Sequence, residues 1–98
     1  MNPEGQESAG QDQQTELSKA AYRLLKEGNL EQGRVNFSRI LELNPRNNYA
    51  LVGLGEVSRK AGNHPQAIGY YQSCLEHHPG NKFALIGLAD CYRAQGAY

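Results

Sequence analysis

Residues 51–79, LVGLGEVSRKAGNHPQAIGYYQSCLEHHP, decide the fold. Leu51, Leu54, Val57 and Ser58 recur at helical spacing, and Gly62 stands where a carboxyl-terminal cap ends such a run. Asn63 then supplies an amino-cap, with Gln66 three residues on. Pro65 sits in a first helical turn, where a missing amide costs nothing. Ala67, Tyr71, Cys74 and Leu75 form the apolar stripe of a second helix, and Pro79 stops it. A connection of about three residues forces the two helices antiparallel.

The same pattern recurs outward in both directions. Gly28, Gly62 and Gly96 are 34 residues apart. Leu17, Leu51 and Leu85 keep that interval, as do Leu54 and Leu88, Ala50 and Ala84, Phe37 and Tyr71, Asn29 and Asn63, and Pro45 and Pro79. This many coincident offsets of one length mark a repeat. Units span 14–47 and 48–81, with a partial unit at 82–98. Helices are expected near 15–27, 30–43, 48–61, 65–78 and 82–95, with Asn29 and Gln32 repeating the capping pair of Asn63 and Gln66. Residues 1–13 have no large apolar side chain beyond Met1, so a disordered polar tail is expected there.

The quoted stretch resembles a tetratricopeptide repeat. Leu51, Leu54, Gly55, Ala67, Tyr71 and Pro79 stand at the family's positions, with Ser58 at the usual aromatic and Cys74 at a small residue. Leu85, Leu88, Ala89, Tyr92 and Gly96 match in the third unit. Leu17, Ala20, Ala21, Leu24, Phe37, Ile40 and Pro45 match in the first, where Gly33 stands at the usual Ala. The resemblance covers residues 14–98. It implies an all-α fold of antiparallel helix-turn-helix repeats, about two and a half units, stacked as a right-handed α-solenoid. It also implies a protein-interaction scaffold and no enzyme.

In the family arrangement, positions three and ten of each first helix face the preceding unit. These are Ala50 and Val57, then Ala84 and Cys91, but Glu16 and Arg23 in the first unit. Charged residues at the first pair suggest an array with no earlier unit. The chain stops in the turn toward a sixth helix, which suggests an amino-terminal fragment of a longer protein. Leu85, Leu88, Ala89 and Tyr92 would pack on that helix, so an open-end association of two copies is expected there.

The concave face is where the family holds peptides. By resemblance its lining comes from Thr15, Ser18, Lys19, Tyr22, Leu25 and Lys26; from Tyr49, Val52, Gly53, Glu56, Arg59 and Lys60; and from Phe83, Ile86, Gly87, Asp90, Arg93 and Ala94. The candidate groove residues are Tyr22, Tyr49, Val52, Glu56, Arg59, Phe83, Ile86, Asp90 and Arg93. Aromatic and β-branched residues at positions that packing does not require point to a partner surface, with Arg among the usual anchors. The family's terminal-carboxylate clamp is not present: its positions hold Ser18, Tyr22, Gly53, Phe83 and Ile86. A peptide segment or helix is the expected partner. The other readings are a structural self-assembly domain and a regulatory appendage of an enzyme encoded beyond residue 98.

Other chemistry finds little support. The 98 residues hold 10 Lys and Arg against 10 Asp and Glu, which speaks against a nucleic-acid footprint. Apolar runs fall short of the roughly 20 residues that span a bilayer, and no secretory signal is visible. Two cysteines make no disulfide framework, and a cytoplasmic protein is expected. Cys74 and His78 have a usable metal-ligand spacing. However, Cys74 and Cys91 fall on packed repeat positions, and His77 and His78 end a helix where a cation suits the dipole. No metal or cofactor is therefore expected. Glu56 with Arg59 and Asp90 with Arg93 read as helix ion pairs three residues apart.

Overall fold

Asparagine and glycine at the repeat interval punctuate the described residues into five helices. The computed structural model describes residues 3–96, and the side chains of 13–96. The helices are α1 (Pro3–Lys26), α2 (Leu30–Leu43), α3 (Asn48–Lys60), α4 (His64–His77) and α5 (Lys82–Ala94). Among the described residues there is no strand, and no helix is long and apolar enough to cross a membrane.

The turn after α3 shows how one helix passes to the next. Gly62 takes a φ of +83°, a conformation open to glycine without strain. Its amide donates to the Arg59 carbonyl at 3.0 Å, and the Asn63 amide donates to Ser58 at 2.8 Å. Both bonds satisfy carbonyls that the helix end leaves free. The Asn63 side chain then accepts from the Gln66 amide at 3.2 Å and opens α4, with Pro65 in the first turn. Gln66 turns back to accept from the Ser58 hydroxyl at 3.0 Å. Gly28 and Gly96 repeat the positive φ. Asn29 does not repeat the cap: its side chain makes no capping bond. Two caps that the sequence reading did not single out, Asn47 and Asn81, accept from the amides of Ala50 and Ala84 at 2.9 Å each.

The amino terminus departs from expectation. α1 begins at Pro3, well before residue 15, so residues 3–13 continue the helix where a disordered tail was expected. Glu and Gln supply five of those eleven residues and favour helix, against two glycines that do not. Once the packed half of α1 is formed, each added residue gains a backbone bond without a new nucleation cost. Residues 1 and 2 lie outside the described residues.

The helices stack in pairs, α1 on α2 and α3 on α4, with α3 also resting on α2 and α5 on both α3 and α4. Two apolar clusters result. Ala21, Leu25, Phe37, Ile40, Ala50, Leu54 and Val57 form the first. Leu51, Val52, Ala67, Tyr71, Cys74, Ala84 and Cys91 form the second. Leu41 and Tyr70 pack against both clusters, so each is a half-buried bridge between them. Ala50, Val57, Ala84 and Cys91 are buried at the expected inter-unit positions, whereas Glu16 and Arg23 are exposed.

A ring-on-glycine contact joins each unit to the next. Phe37 of α2 and Tyr71 of α4 are fully buried. A Cβ at Gly53 would stand 2.3 Å from the Phe37 ring, and one at Gly87 would stand 2.3 Å from the Tyr71 ring. Both glycines were expected to line the groove. They are instead buried, because the preceding aromatic occupies the space their side chains would need. The equivalent position in α1 is Lys19, which is exposed and receives no ring.

Candidate functional site

One face of α1, α3 and the start of α5 forms a groove of about 610 Å³. Leu25 and Val52 form its floor and are nearly covered, at 7% and 6% exposure. Tyr49, Phe83 and Ile86 stand open on its wall, at 59%, 62% and 57% exposure. Tyr22, Glu56, Lys26, Lys60, Asn48 and Asn81 complete the lining. A second depression of about 570 Å³ adjoins it along α1, lined by Gln14, Thr15, Ser18, Lys19 and Asn47. Tyr22 and Tyr49 border both, so they form a ridge between the two.

That ridge is held from below. The Tyr22 hydroxyl donates to the Tyr49 carbonyl at 3.0 Å. Its ring meets Phe37 edge-on, with centroids 5.0 Å apart, a favourable arrangement for two quadrupoles. Burial, with the Glu56 charge adding to it, pushes the Tyr22 pKa up to about 12. The hydroxyl therefore stays protonated and remains a donor.

Glu56 is tied on both oxygens. Oε1 accepts from the Tyr71 hydroxyl at 2.9 Å, and Oε2 pairs with Arg59 at 2.5 Å. Burial, and then the Glu56 carboxylate, hold the Tyr71 hydroxyl well above its usual range. The Arg59 Nε is buried with no hydrogen-bond partner among the described residues. The expected Asp90–Arg93 pair also forms, on a more exposed part of α5.

The structure therefore brings Tyr22, Tyr49, Val52, Glu56, Phe83 and Ile86 to one groove. Arg59, Asp90 and Arg93 are absent from its lining, because their helix positions turn toward neighbouring side chains and solvent. Val52 is floor and not an exposed contact, since α5 covers what an isolated α3 would present. Asn48 and Asn81 were missed. Nothing in their residue type marks them, and they enter the lining only because α3 and α5 start beside it.

The cysteines and histidines stand apart. Cys74 and Cys91 are free and buried, and burial raises both thiol pKa values. His78 Nε2 lies 2.9 Å from the Arg46 carbonyl, linking the turn before α5 to the turn before α3. Among the described residues, no group of three or more His, Cys, Asp and Glu gathers to hold a metal.

On the open side of α5, Leu85 is 48% exposed and Ala89 is exposed. Leu88 and Tyr92 are half-buried, and Leu88 packs on the second cluster.

The family profile described as tetratricopeptide repeat matches residues 18–82 and again 59–98. No curated protein matches the chain.

Proposed function

We propose that this chain, which belongs to the tetratricopeptide repeat family, is an interaction scaffold that holds a peptide segment or helix in the groove of α1, α3 and α5. Domains of this family are typically non-catalytic scaffolds for protein partners. The finer reading rests on one observation: Tyr49 and Phe83 are more than half exposed around a single concavity. Large apolar side chains gathered there leave a transfer free energy of about 25 cal/mol per Å² unrealised until a partner covers them. Stacking of the units as a right-handed superhelix would set this groove on the concave side. Peptides selected from a display library should bind the chain and lose at least ten-fold in affinity to Tyr49→Ala, measured by fluorescence anisotropy. Binding indifferent to that change would remove the groove from the account.

A second reading draws on the open face of α5. Exposed Leu85 and Ala89, with Leu88 and Tyr92 beside them, form a surface that two copies could share about a two-fold axis. Sedimentation over a wide concentration range should then show dimers that Leu85→Glu abolishes. A monomer throughout removes this reading.

A further inference from the structure

The groove is chemically polar along its length. Tyr49 and Phe83 stand near the amino-terminal starts of α3 and α5. Lys26 and Lys60 stand in the last turns of α1 and α3, in the same concavity. Tyr49 and Lys60 are eleven residues apart on one helix, which is about 16 Å at roughly 1.5 Å per residue. Among the described residues, Glu56 supplies the one carboxylate that lines the groove, and Arg59 and the Tyr71 hydroxyl already engage it. Lys26 and Lys60 are exposed, and neither joins an ion pair among the described residues. The adjoining depression differs, because its Lys19 is paired with Glu16. The groove thus has an apolar end and an uncompensated positive end.

We propose that its occupant is an acidic peptide segment, with a large apolar side chain seated between Tyr49 and Phe83 and a carboxylate at Lys26 and Lys60. This rests on the groove being the binding site. Two ammonium groups at one end of a groove favour a carboxylate through their summed positive potential. A basic segment of the same shape would meet like charge, so the lysines select as well as attract. The competing account is that both lysines only complement their helix carboxyl ends, which would affect stability and leave partner choice untouched.

The test uses a display library of random 12-residue peptides panned on the whole chain. The enriched sequences are then measured by fluorescence anisotropy at low and high NaCl. Enriched peptides should carry Asp or Glu at a fixed distance from an apolar residue and weaken as salt rises. The double variant Lys26→Glu, Lys60→Glu should bind them at least ten-fold more weakly while keeping the parent's circular dichroism spectrum. A peptide with Lys in place of its acidic residue should recover binding to that variant. Peptides that lose affinity to Tyr49→Ala but ignore the charge reversal would leave the groove standing and overturn the acidic partner. Peptides indifferent to both changes, or no enrichment at all, would overturn the groove and this inference together.

Discussion

α3 and α5 carry the same repeat pattern, NYALVGLGEVSRK against KFALIGLADCYRA, yet they sit in different surroundings. α3 is packed on both sides and buries eight residues from Ala50 to Ser58. α5 buries Ala84, Gly87 and Cys91 alone. Leu51 is 5% exposed and its repeat equivalent Leu85 is 48% exposed; Val52 is 6% exposed and Ile86 is 57% exposed. These pairs differ because neighbouring helices cover α3, and no described helix lies beyond α5. Tyr49 and Phe83 behave otherwise, since they are about equally open on both helices. A position open whether or not its helix is covered is one that packing between units does not use. The comparison thereby separates side chains that a neighbouring helix covers from side chains that packing between units leaves open.

The largest effects should fall on the rings that both helices receive. Phe37→Ala or Tyr71→Ala should lower stability by about 3–5 kcal/mol in urea denaturation, since each empties a fully buried site. A loss under about 1 kcal/mol for either would show that the ring-on-glycine contact does not join the units.

The helix comparison is tested directly by one truncation in two places. Leu51→Ala should cost about 2–5 kcal/mol, and Leu85→Ala less than about 1 kcal/mol. Equal costs would mean that α5 is covered in solution, and sedimentation would then report whether a second copy covers it.

A smaller effect separates two glycines. Gly53→Ala should destabilise by about 1–3 kcal/mol from overpacking against Phe37, reduced by roughly 1 kcal/mol of improved helix propensity. Gly69→Ala in α4, with nothing within 4 Å of its Cβ, should instead stabilise by up to about 1 kcal/mol.

The smallest effect is a pH dependence confined to alkaline solution. The Tyr22 pKa is raised in the folded chain, so folding favours the protonated hydroxyl. Its contribution is fully present below the ordinary tyrosine value near 10, and is lost as pH rises through about 12. Alkaline denaturation followed by circular dichroism should therefore be less steep over that window in Tyr22→Phe.

Much of this architecture could be read from residue spacing. Asn63, Pro65, Gly62 and Pro79 punctuate helices by local chemistry, and the 34-residue interval extends that reading along the chain. The groove was less legible. Gly53 and Gly87 share the interval with Phe37 and Tyr71, but only the stacking of units brings each ring onto its glycine. Val52 and Ile86 are near-equivalent in type and opposite in exposure, so sequence position could not say which one a neighbour covers. The start of α1 was misjudged because composition measures what a segment can bury, whereas a helix already anchored by packing can extend through polar residues.

The most direct measurement is a paired one on Tyr49→Ala and Phe83→Ala, with affinity for a display-selected peptide and thermal midpoint read on the same samples. Exposed aromatics that serve a partner should lose at least ten-fold in affinity while the midpoint moves by no more than about 3 °C, less than 1 kcal/mol for a chain of this size. Unchanged affinity in both variants, or a fall in midpoint comparable to that of Phe37→Ala, would contradict the assignment of these two side chains to a binding groove.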